Sequence, residues 1–401
     1  MKINDVQMDE TQASAANNCG NNIPRWSDYA MKITAIETFP VEPRWLFLKI
    51  STDEGLFGWG ECLGDKAYVI AEAVRSYEGS LIGEDPLRIT HIWQSLYRQA
   101  FWRGGPTLNA AISGIEIALW DIKGKSLGVP VYSLLGGPTR DKIRVYPHLK
   151  GDTPTELAAN AKEIAWAGYT GMKFCPFKQV KGLDSYGVVL DAVARVAVVR
   201  EVIGPGVDLM LDFHGRVSPA MAIQMEQALR EFHPFFIEEP VLPDNVDAMA
   251  KVAAKFQTPI ATGERLFTKW GYQEILEKRC VAVLQPDPCI CGGILEAVHI
   301  SAMAEAQFVS IAPHNPYGPI NLAAALQVDA AIPNFVIQEF VHLGEGYLKQ
   351  PFVVEDGFIR LPTGPGLGIE VDEDFVRSKP LGRLPDVGRW FHEEDGSVAD
   401  W

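Results

Sequence analysis

Leu211-Asp212-Phe213-His214-Gly215-Arg216 places an acidic residue directly behind an apolar run, and two later stretches repeat the arrangement. These are Phe236-Ile237-Glu238-Glu239-Pro240 and Ala261-Thr262-Gly263-Glu264-Arg265. Asp212 to Glu238 is 26 positions (238 − 212), and Glu238 to Glu264 is 26 again (264 − 238). One strand, one helix and two loops fit that interval. Successive βα units of this length would set three carboxylates at equivalent strand ends. In a barrel of parallel strands those ends share the face where active sites form. Three hard oxygen ligands converging there suit Mg²⁺, with water and substrate completing an octahedron.

Outward from this centre, short apolar runs alternate with helical periods, the mark of parallel βα units. Strands are predicted at 142–148, 171–175, 207–212, 234–238, 258–262, 281–285, 308–312 and 335–339. Helices fall near 154–167, 187–203, 218–232, 244–256, 268–278, 292–306 and 319–331. Eight strands with helical crossovers point to a barrel rather than an open sheet. The region before it differs. Strand patterns at Ile33–Phe39, Trp45–Ile50 and Gly55–Gly60 precede helical periods over 68–76, 86–99 and 107–127, an α+β domain. The expected division is a disordered polar leader over 1–30, an α+β domain over 31–140 and a barrel over 141–345. A C-terminal segment, 346–401, should pack back on the first domain.

Composition narrows the function. Of 401 residues, 47% are hydrophobic and 22% charged, ordinary for a soluble globular enzyme. A net charge of −15 argues against nucleic acid or an anionic membrane surface as the main partner. Cysteines 19, 62, 175, 280, 289 and 291 are too scattered for a disulfide scaffold and are expected as reduced thiols. The polar first 30 residues lack the apolar core of a signal peptide and no apolar run reaches membrane-spanning length, so a cytoplasmic location is the default expectation.

Other strand ends carry polar residues: Lys173 and Cys175, His214, Asp287, His314 and Glu339. A lone acidic residue at a strand end often caps the following helix instead. For Asp212, Glu238 and Glu264 together, a metal site is the better account. His214 lies two places after Asp212 and would face the same way along an extended strand. His314 sits on a strand next to Asp287, which would hydrogen-bond one ring nitrogen and raise the basicity of the other. His91, His148, His233, His299, His342 and His392 read as solvated or satisfied core groups.

The motifs Leu211–Val217, Phe236–Val241, Gly263-Glu264-Arg265, Leu284-Gln285-Pro286-Asp287 and Ala312-Pro313-His314 resemble the mandelate racemase branch of the enolase superfamily. Within it the galactonate-dehydrating enzymes are most similar. Phe101–Pro106, Ala118–Lys125 and the closing His392–Trp401 support this. The resemblance runs from Met31 to the C-terminus and implies a modified TIM barrel, (β/α)7β-like, whose N-terminal α+β capping domain is completed by the C-terminal tail. It further implies one Mg²⁺ per subunit on Asp212, Glu238 and Glu264, with His314 as base, oriented by Asp287, and His214 as acid. Glu339 and Lys173 would serve the substrate carboxylate, as the family's enediolate chemistry requires. The implied reaction is dehydration of a sugar acid, with D-galactonate the first expectation, in a symmetric homo-oligomer. Cys175 departs from the pattern, standing where racemases carry a second Lys, and bears on substrate choice. The loops at Arg44-Trp45 and Trp102-Arg103 are expected to reach the substrate, although both Trp residues could instead pack within their own domain. Dehydration of another aldonate or aldarate, acid-sugar epimerisation and a non-catalytic metal-binding barrel remain alternatives.

Overall fold

An antiparallel meander opens the chain: β1 (Ile33–Val41), β2 (Trp45–Thr52) and β3 (Phe57–Cys62), in that order across the sheet. The computed structural model describes residues 30–382 and 390–400, so the expected leader (save its last residue) and Cys19 lie outside the described residues. Five helices follow: α1 (Ala67–Ser76), α2 (Glu78–Leu81), α3 (Ile89–Gln99), α4 (Gly105–Leu127) and α5 (Val131–Leu134). Helix α4 lies flat on the meander because β3 offers it glycines. A Cβ on Gly60 would stand 2.0 Å from the carbonyl oxygen of Gly114. The helix stops at Gly128, whose φ of 70° is the left-handed conformation that glycine adopts without penalty.

The barrel strands are β4 (Lys142–Tyr146), β5 (Gly171–Phe174), β6 (Asp208–Asp212), β7 (Phe236–Glu238), β8 (Ile260–Thr262), β9 (Val283–Leu284), β10 (Ser310–Ile311) and β11 (Gln338–Glu339). Helices α6 (Pro154–Trp166), α7 (Tyr186–Ile203), α8 (Pro219–Leu229), α9 (Val246–Ala253), α10 (Thr268–Glu277), α11 (Ile294–Glu305) and α12 (Pro319–Ala331) connect them. Strands β5 to β10 form one parallel run and β11 pairs with β4. Parallel bridges His148↔Lys173 and Ile311↔Phe335 join the two sets into a ring. Strands β7 to β10 are shorter than their apolar runs. Pro234 and Pro259 precede the first two, and Pro286 and Pro313 follow the last two, and proline gives no N–H to a ladder. Tyr146, Met210, Phe236, Ala261, Val283, Ala312 and Ile337 pack together to fill the ring.

The C-terminal segment divides its contacts, which corrects the expectation that all of it covers the first domain. Strands β12 (Val354–Glu355) and β13 (Phe358–Arg360) extend the barrel sheet, β13 pairing antiparallel with β4. Helix α13 (Glu373–Ser378) turns to the meander, where Glu373 pairs with Lys49 at 2.7 Å and Pro380 bridges Val41. Residues 390–400 lie on the barrel loop after β5. Gln179 donates to the carbonyl of Phe391, and Lys181 pairs with Glu394 at 2.6 Å. No helix among the described residues is long and apolar enough to cross a membrane.

Two buried carboxylates lock the domains together. Helices α11 and α12 begin at Gly293 and Gly318, which have no side chain with which to cap the first N–H groups. Glu116 of α4 accepts from Ile294 and Leu295 N–H at 2.7 and 2.9 Å and from the Trp120 indole at 2.7 Å. Glu61 of β3 accepts from Gly318 and Asn321 N–H at 2.6 and 2.8 Å. The first domain thus caps barrel helices in the manner of a local N-cap. Glycine is required at the junction, since a Cβ on Gly293 would fall 2.1 Å from Glu116 Oε2.

Glu116→Ala should lower unfolding free energy by at least about 2 kcal/mol, because it strands buried donors; an unfolding free energy from urea titration lowered by under about 0.5 kcal/mol would refute the lock. Burial pushes the Glu116 carboxyl from 4.5 up to about 8, against the pull of its N–H donors. The folded chain then keeps a proton that the unfolded chain sheds above about 4.5. Its stabilising contribution is full below that pH and fades as pH rises to about 8. Glu116→Gln should flatten this part of the stability–pH curve.

Candidate active site

A cavity of about 800 Å³ opens between the C-terminal ends of the barrel strands and the first domain. Its floor is acidic. Asp212 and Glu238 are register partners, level on β6 and β7. Glu238 in turn pairs with Ala261, so Glu264 stands three residues past that level, in a turn opened by Gly263 at φ 140°. Equal spacing in sequence is therefore not equal height on the barrel, although Glu264 still lines the cavity. His214 also reaches it differently from expectation. The strand ends at Asp212, and His214 has φ 53°, so no extended alternation aims it. Its N–H instead donates to Asp212 Oδ1 at 2.9 Å, folding the ring back toward the carboxylate. Its Nε2 lies 3.2 Å from Asp212 Oδ2.

Lys173 gathers the floor. Its ammonium lies 2.7 Å from Glu238 Oε2, 2.8 Å from Glu339 Oε1 and 3.4 Å from Asp212 Oδ2. Burial opposes its charge, yet Glu238 and Glu339 outweigh burial and hold its pKa well above the ordinary value. Glu238 is pushed well up by burial and by Asp212, while Glu339 is held well down by Lys173, His314 and His148 despite its burial. Glu339 also accepts from the Asn315 N–H at 2.9 Å. Beside them Glu239, at φ 44°, takes the Thr262 hydroxyl and faces Arg265 at 3.8 Å.

The two histidines differ in their partners. His314 Nδ1 lies 2.8 Å from Asp287 Oδ2, and its Nε2 lies 2.9 Å from Glu264 Oε2. Asp287 is fixed in turn by Asn321 and by the N–H of Cys289, both at 2.9 Å. Burial opposes charge on His314, but Glu264, Glu339 and Asp287 carry its pKa well above the usual imidazole range. Across the ring, the Arg216 guanidinium lies 3.2 Å from His214 Nδ1 and 2.8 Å from Cys175 Sγ. Guanidinium only donates, so Nδ1 accepts and the ring proton is on Nε2, facing Asp212. Burial, helped by Arg216, lowers the His214 pKa.

Several cavity residues were not singled out by sequence. His148, expected as a bland histidine, lines the cavity with Nε2 against Glu339. A signal existed, since it ends the first predicted barrel strand. Arg265, Tyr317, His342 and Asp65 line the cavity as well. From the expected set, Arg44, Trp45 and Cys175 line it, whereas Glu238 is buried beneath and Asp287 stands behind His314. Trp102 and Arg103 do not line it. Trp102 is 82% exposed beside Phe101, and Arg103 folds back over the Tyr97 ring and donates to the Arg98 carbonyl. Their loop lies between α3 and α4, and Pro106, in the first turn of α4, is the nearby residue that meets the cavity. Five cysteines among the described residues are free thiols, and Cys289 and Cys291 are buried in the core.

Among the described residues no three His, Cys, Asp or Glu groups already stand as a metal cluster. The side chains of the protein itself hold the carboxylates instead: Lys173 on Glu238 and Glu339, His314 on Glu264. The donor chemistry nevertheless fits a hard dication. Asp212, Glu238, Glu239, Glu264, Asp287 and Glu339 gather at the strand ends, where Lys173, Arg265 and His314 pair with them. Asp212 and Glu238 are level on adjacent strands, and Glu264 follows the end of the next strand, β8.

A capped parallel barrel with acidic strand ends defines the class, and sequence comparison agrees. The chain matches the mandelate racemase / muconate lactonizing enzyme N-terminal domain over residues 27–136 and the enolase C-terminal domain-like family over 156–375. It belongs to the enolase superfamily. D-galactonate dehydratase of Ralstonia nicotianae is 46% identical over 386 residues, 92% of this chain and all of that protein. D-galactonate dehydratase of Pectobacterium atrosepticum is 45% identical with the same coverage. Among solved structures, a putative dehydratase from Mesorhizobium loti has a TM-score of 0.83 at 34% identity, covering 88% of this chain and 99% of that one. A mandelate racemase/muconate lactonizing enzyme from Sulfitobacter sp. has a TM-score of 0.85 at 34% identity, covering 88% and 97%.

Lys173→Met removes one cation from among three buried carboxylates and should cost about 3–5 kcal/mol of stability, the usual penalty for stranding buried charge. Chemical denaturation in metal-free buffer measures this. An unchanged midpoint would mean that Lys173 does not hold the floor together.

Proposed function

We propose that this acid-sugar dehydratase, a hydro-lyase, acts on D-galactonate and removes water across C2 and C3 to leave a 2-keto-3-deoxy acid. One observation carries the reading. His314, oriented by Asp287, and His214 enter the same cavity from β10 and β6, four strands apart in a ring of eight. Base and acid then address opposite faces of a bound substrate, as anti elimination requires.

In this mechanism the C1 carboxylate lies at the acidic floor near Lys173, Glu339 and His148. One Mg²⁺ per subunit, held by Asp212, Glu238 and Glu264, would neutralise charge that develops on that carboxylate. His314 takes the C2 proton at Nε2 in its neutral form, which requires that nitrogen to be released from Glu264 Oε2, the carboxylate that it faces in this structure and that holds its proton there. The C2–H electrons form the enediolate, which collapses to a C2–C3 double bond as the C3–O bond breaks. His214 gives its Nε2 proton to the departing hydroxyl, and the enol product becomes the 2-keto acid. Lys173 adds positive charge at the carboxylate end, and Glu339 orders Lys173, His148 and the Asn315 N–H around it. A cytoplasmic location and a symmetric oligomer belong to the same reading, and light scattering on the purified chain tests the latter.

A keto-acid assay on D-galactonate should give product that disappears with EDTA and returns with Mg²⁺. Glu238→Gln and Asp212→Asn should abolish turnover and weaken Mg²⁺ binding, each losing a charged ligand; full activity of the metal-stripped chain refutes the metal assignment. The histidines separate by isotope exchange. His314→Asn should lose dehydration and C2 exchange with solvent deuterium together. His214→Asn should lose dehydration by roughly 10²–10⁴-fold yet keep exchange. The opposite pattern would reverse the two roles.

A further inference from the structure

The first domain meets the cavity with a single charged pair. Arg44, in the turn between β1 and β2, lies 3.1 Å from Asp65, in the loop after β3. Both line the cavity, with side chains 33% and 40% exposed. Arg44 stands 5.8 Å from the ring centre of Tyr317, which packs edge-on against His314 at 6.1 Å. The pair therefore borders the wall that carries the base. The other first-domain lining residues, Pro43, Trp45, Leu63 and Pro106, are uncharged.

A charge inventory of the cavity follows from the distances. Its lining Lys and Arg residues, among those described, are Arg44, Lys173 and Arg265. Each already faces carboxylate: Arg44 has Asp65, Lys173 has Glu238 and Glu339, and Arg265 has Glu264 at 3.4 Å and Glu239 at 3.8 Å. His342 borders the same end, but its Nδ1 accepts the Gly344 N–H at 2.9 Å, which makes the ring neutral. With the C1 carboxylate at the barrel floor, the far end of a six-carbon acid points toward the first-domain side of the cavity, where Arg44 and Asp65 are the charged lining residues. A C6 hydroxyl uses both, donating to Asp65 and accepting from Arg44. A C6 carboxylate also accepts from Arg44, but it meets like charge at Asp65 and loses part of its hydration with no further lining Lys or Arg free to offset the loss.

We propose that the Arg44–Asp65 pair determines specificity, selecting aldonates, with one carboxylate, over aldarates, with two. This rests on the dehydratase reading and adds to it the residues that read the distal end. The pair neutralises itself, so a neutral hydroxymethyl group is the terminus that it fits.

D-galactonate and galactarate share the configuration of C2 to C5 and differ only at C6, so they isolate the effect. Steady-state kinetics on both acids should show the wild-type chain favouring galactonate in kcat/KM. Asp65→Asn leaves Arg44 uncompensated and should narrow that preference by at least about tenfold, chiefly through a lower KM for galactarate. Arg44→Gln leaves Asp65 alone and should widen it. Opposite movement of the ratio supports the proposal, because general loosening of the cap would move both variants the same way. Equal wild-type use of the two acids, an unmoved ratio in Asp65→Asn, or parallel movement in the two variants overturns it. A chain inert on both acids with Mg²⁺ present overturns the dehydratase reading, and this proposal with it.

Discussion

The interaction on which the site depends is the burial of carboxylates at one end of the strand ring. Glu238, Glu239 and Glu339 are fully buried and Asp212 and Asp287 nearly so. Isolated, any of these charges would cost several kcal/mol even after relaxation. Their surroundings are accordingly built from donors. Lys173 crosses from β5 to β7 and β11, and His314 spans Asp287 and Glu264. Asn321 and the Asn315 N–H complete the set. Left-handed backbone at His214 and Glu239 belongs to the same arrangement, because it turns polar groups back toward the floor rather than outward along the strands. Strain of this kind persists where its surroundings over-determine it.

The same logic joins the two domains. Glycines at the starts of α11 and α12 leave their first N–H groups open, and glutamates from the first domain close them. Both helices follow strands whose ends carry His314 and Asp287, so the junction lies directly behind that half of the cavity. Asp121 extends the pattern, accepting from Trp59 and Leu367 N–H at 2.9 Å and thereby tying the C-terminal segment to α4. The cap is thus attached through hydrogen bonds to helix ends as well as through apolar packing.

These facts mark what sequence can and cannot disclose. The 26-residue interval, the proline-bounded apolar runs and the helical periods are local properties, and the element order could be read from them. Level and direction could not. Asp212, Glu238 and Glu264 are evenly spaced, but Gly263 moves the third out of register. His214 reaches the cavity through a φ of 53°, which no period-2 argument contains. Glu61 acts on groups 257 and 260 positions away and Glu116 on groups 178 and 179 away, and nothing beside them in the chain announces a partner. His148 was legible in part, because a strand end is informative, yet only the neighbouring Glu339 gives it a role. Trp102 shows the converse: composition suited a sugar-acid site, but the loop aims the ring into solvent.

Cys175 bears on the choice between reactions that the proposed mechanism makes on this scaffold. Racemisation or epimerisation needs a proton acceptor on each face of the substrate carbon. On the β5 side the residue in question is a thiol that burial pushes up to about 11, with Arg216 only partly opposing. Such a thiol stays protonated near neutral pH and takes no proton from carbon. Its hydrogen-bonding is also committed, with Sγ donating to the Phe177 carbonyl and receiving Arg216. Arg216 links the thiol to His214 Nδ1, and a cation there favours an imidazole that offers its Nε2 proton over one that accepts a second. The Cys175 face is therefore without a base, and the proposed elimination uses His214 as the acid there and His314, once its Nε2 is free of Glu264, as the base opposite. An acid facing a base converts the shared enediolate to an alkene by expelling a hydroxyl, whereas two bases would return it to an epimer.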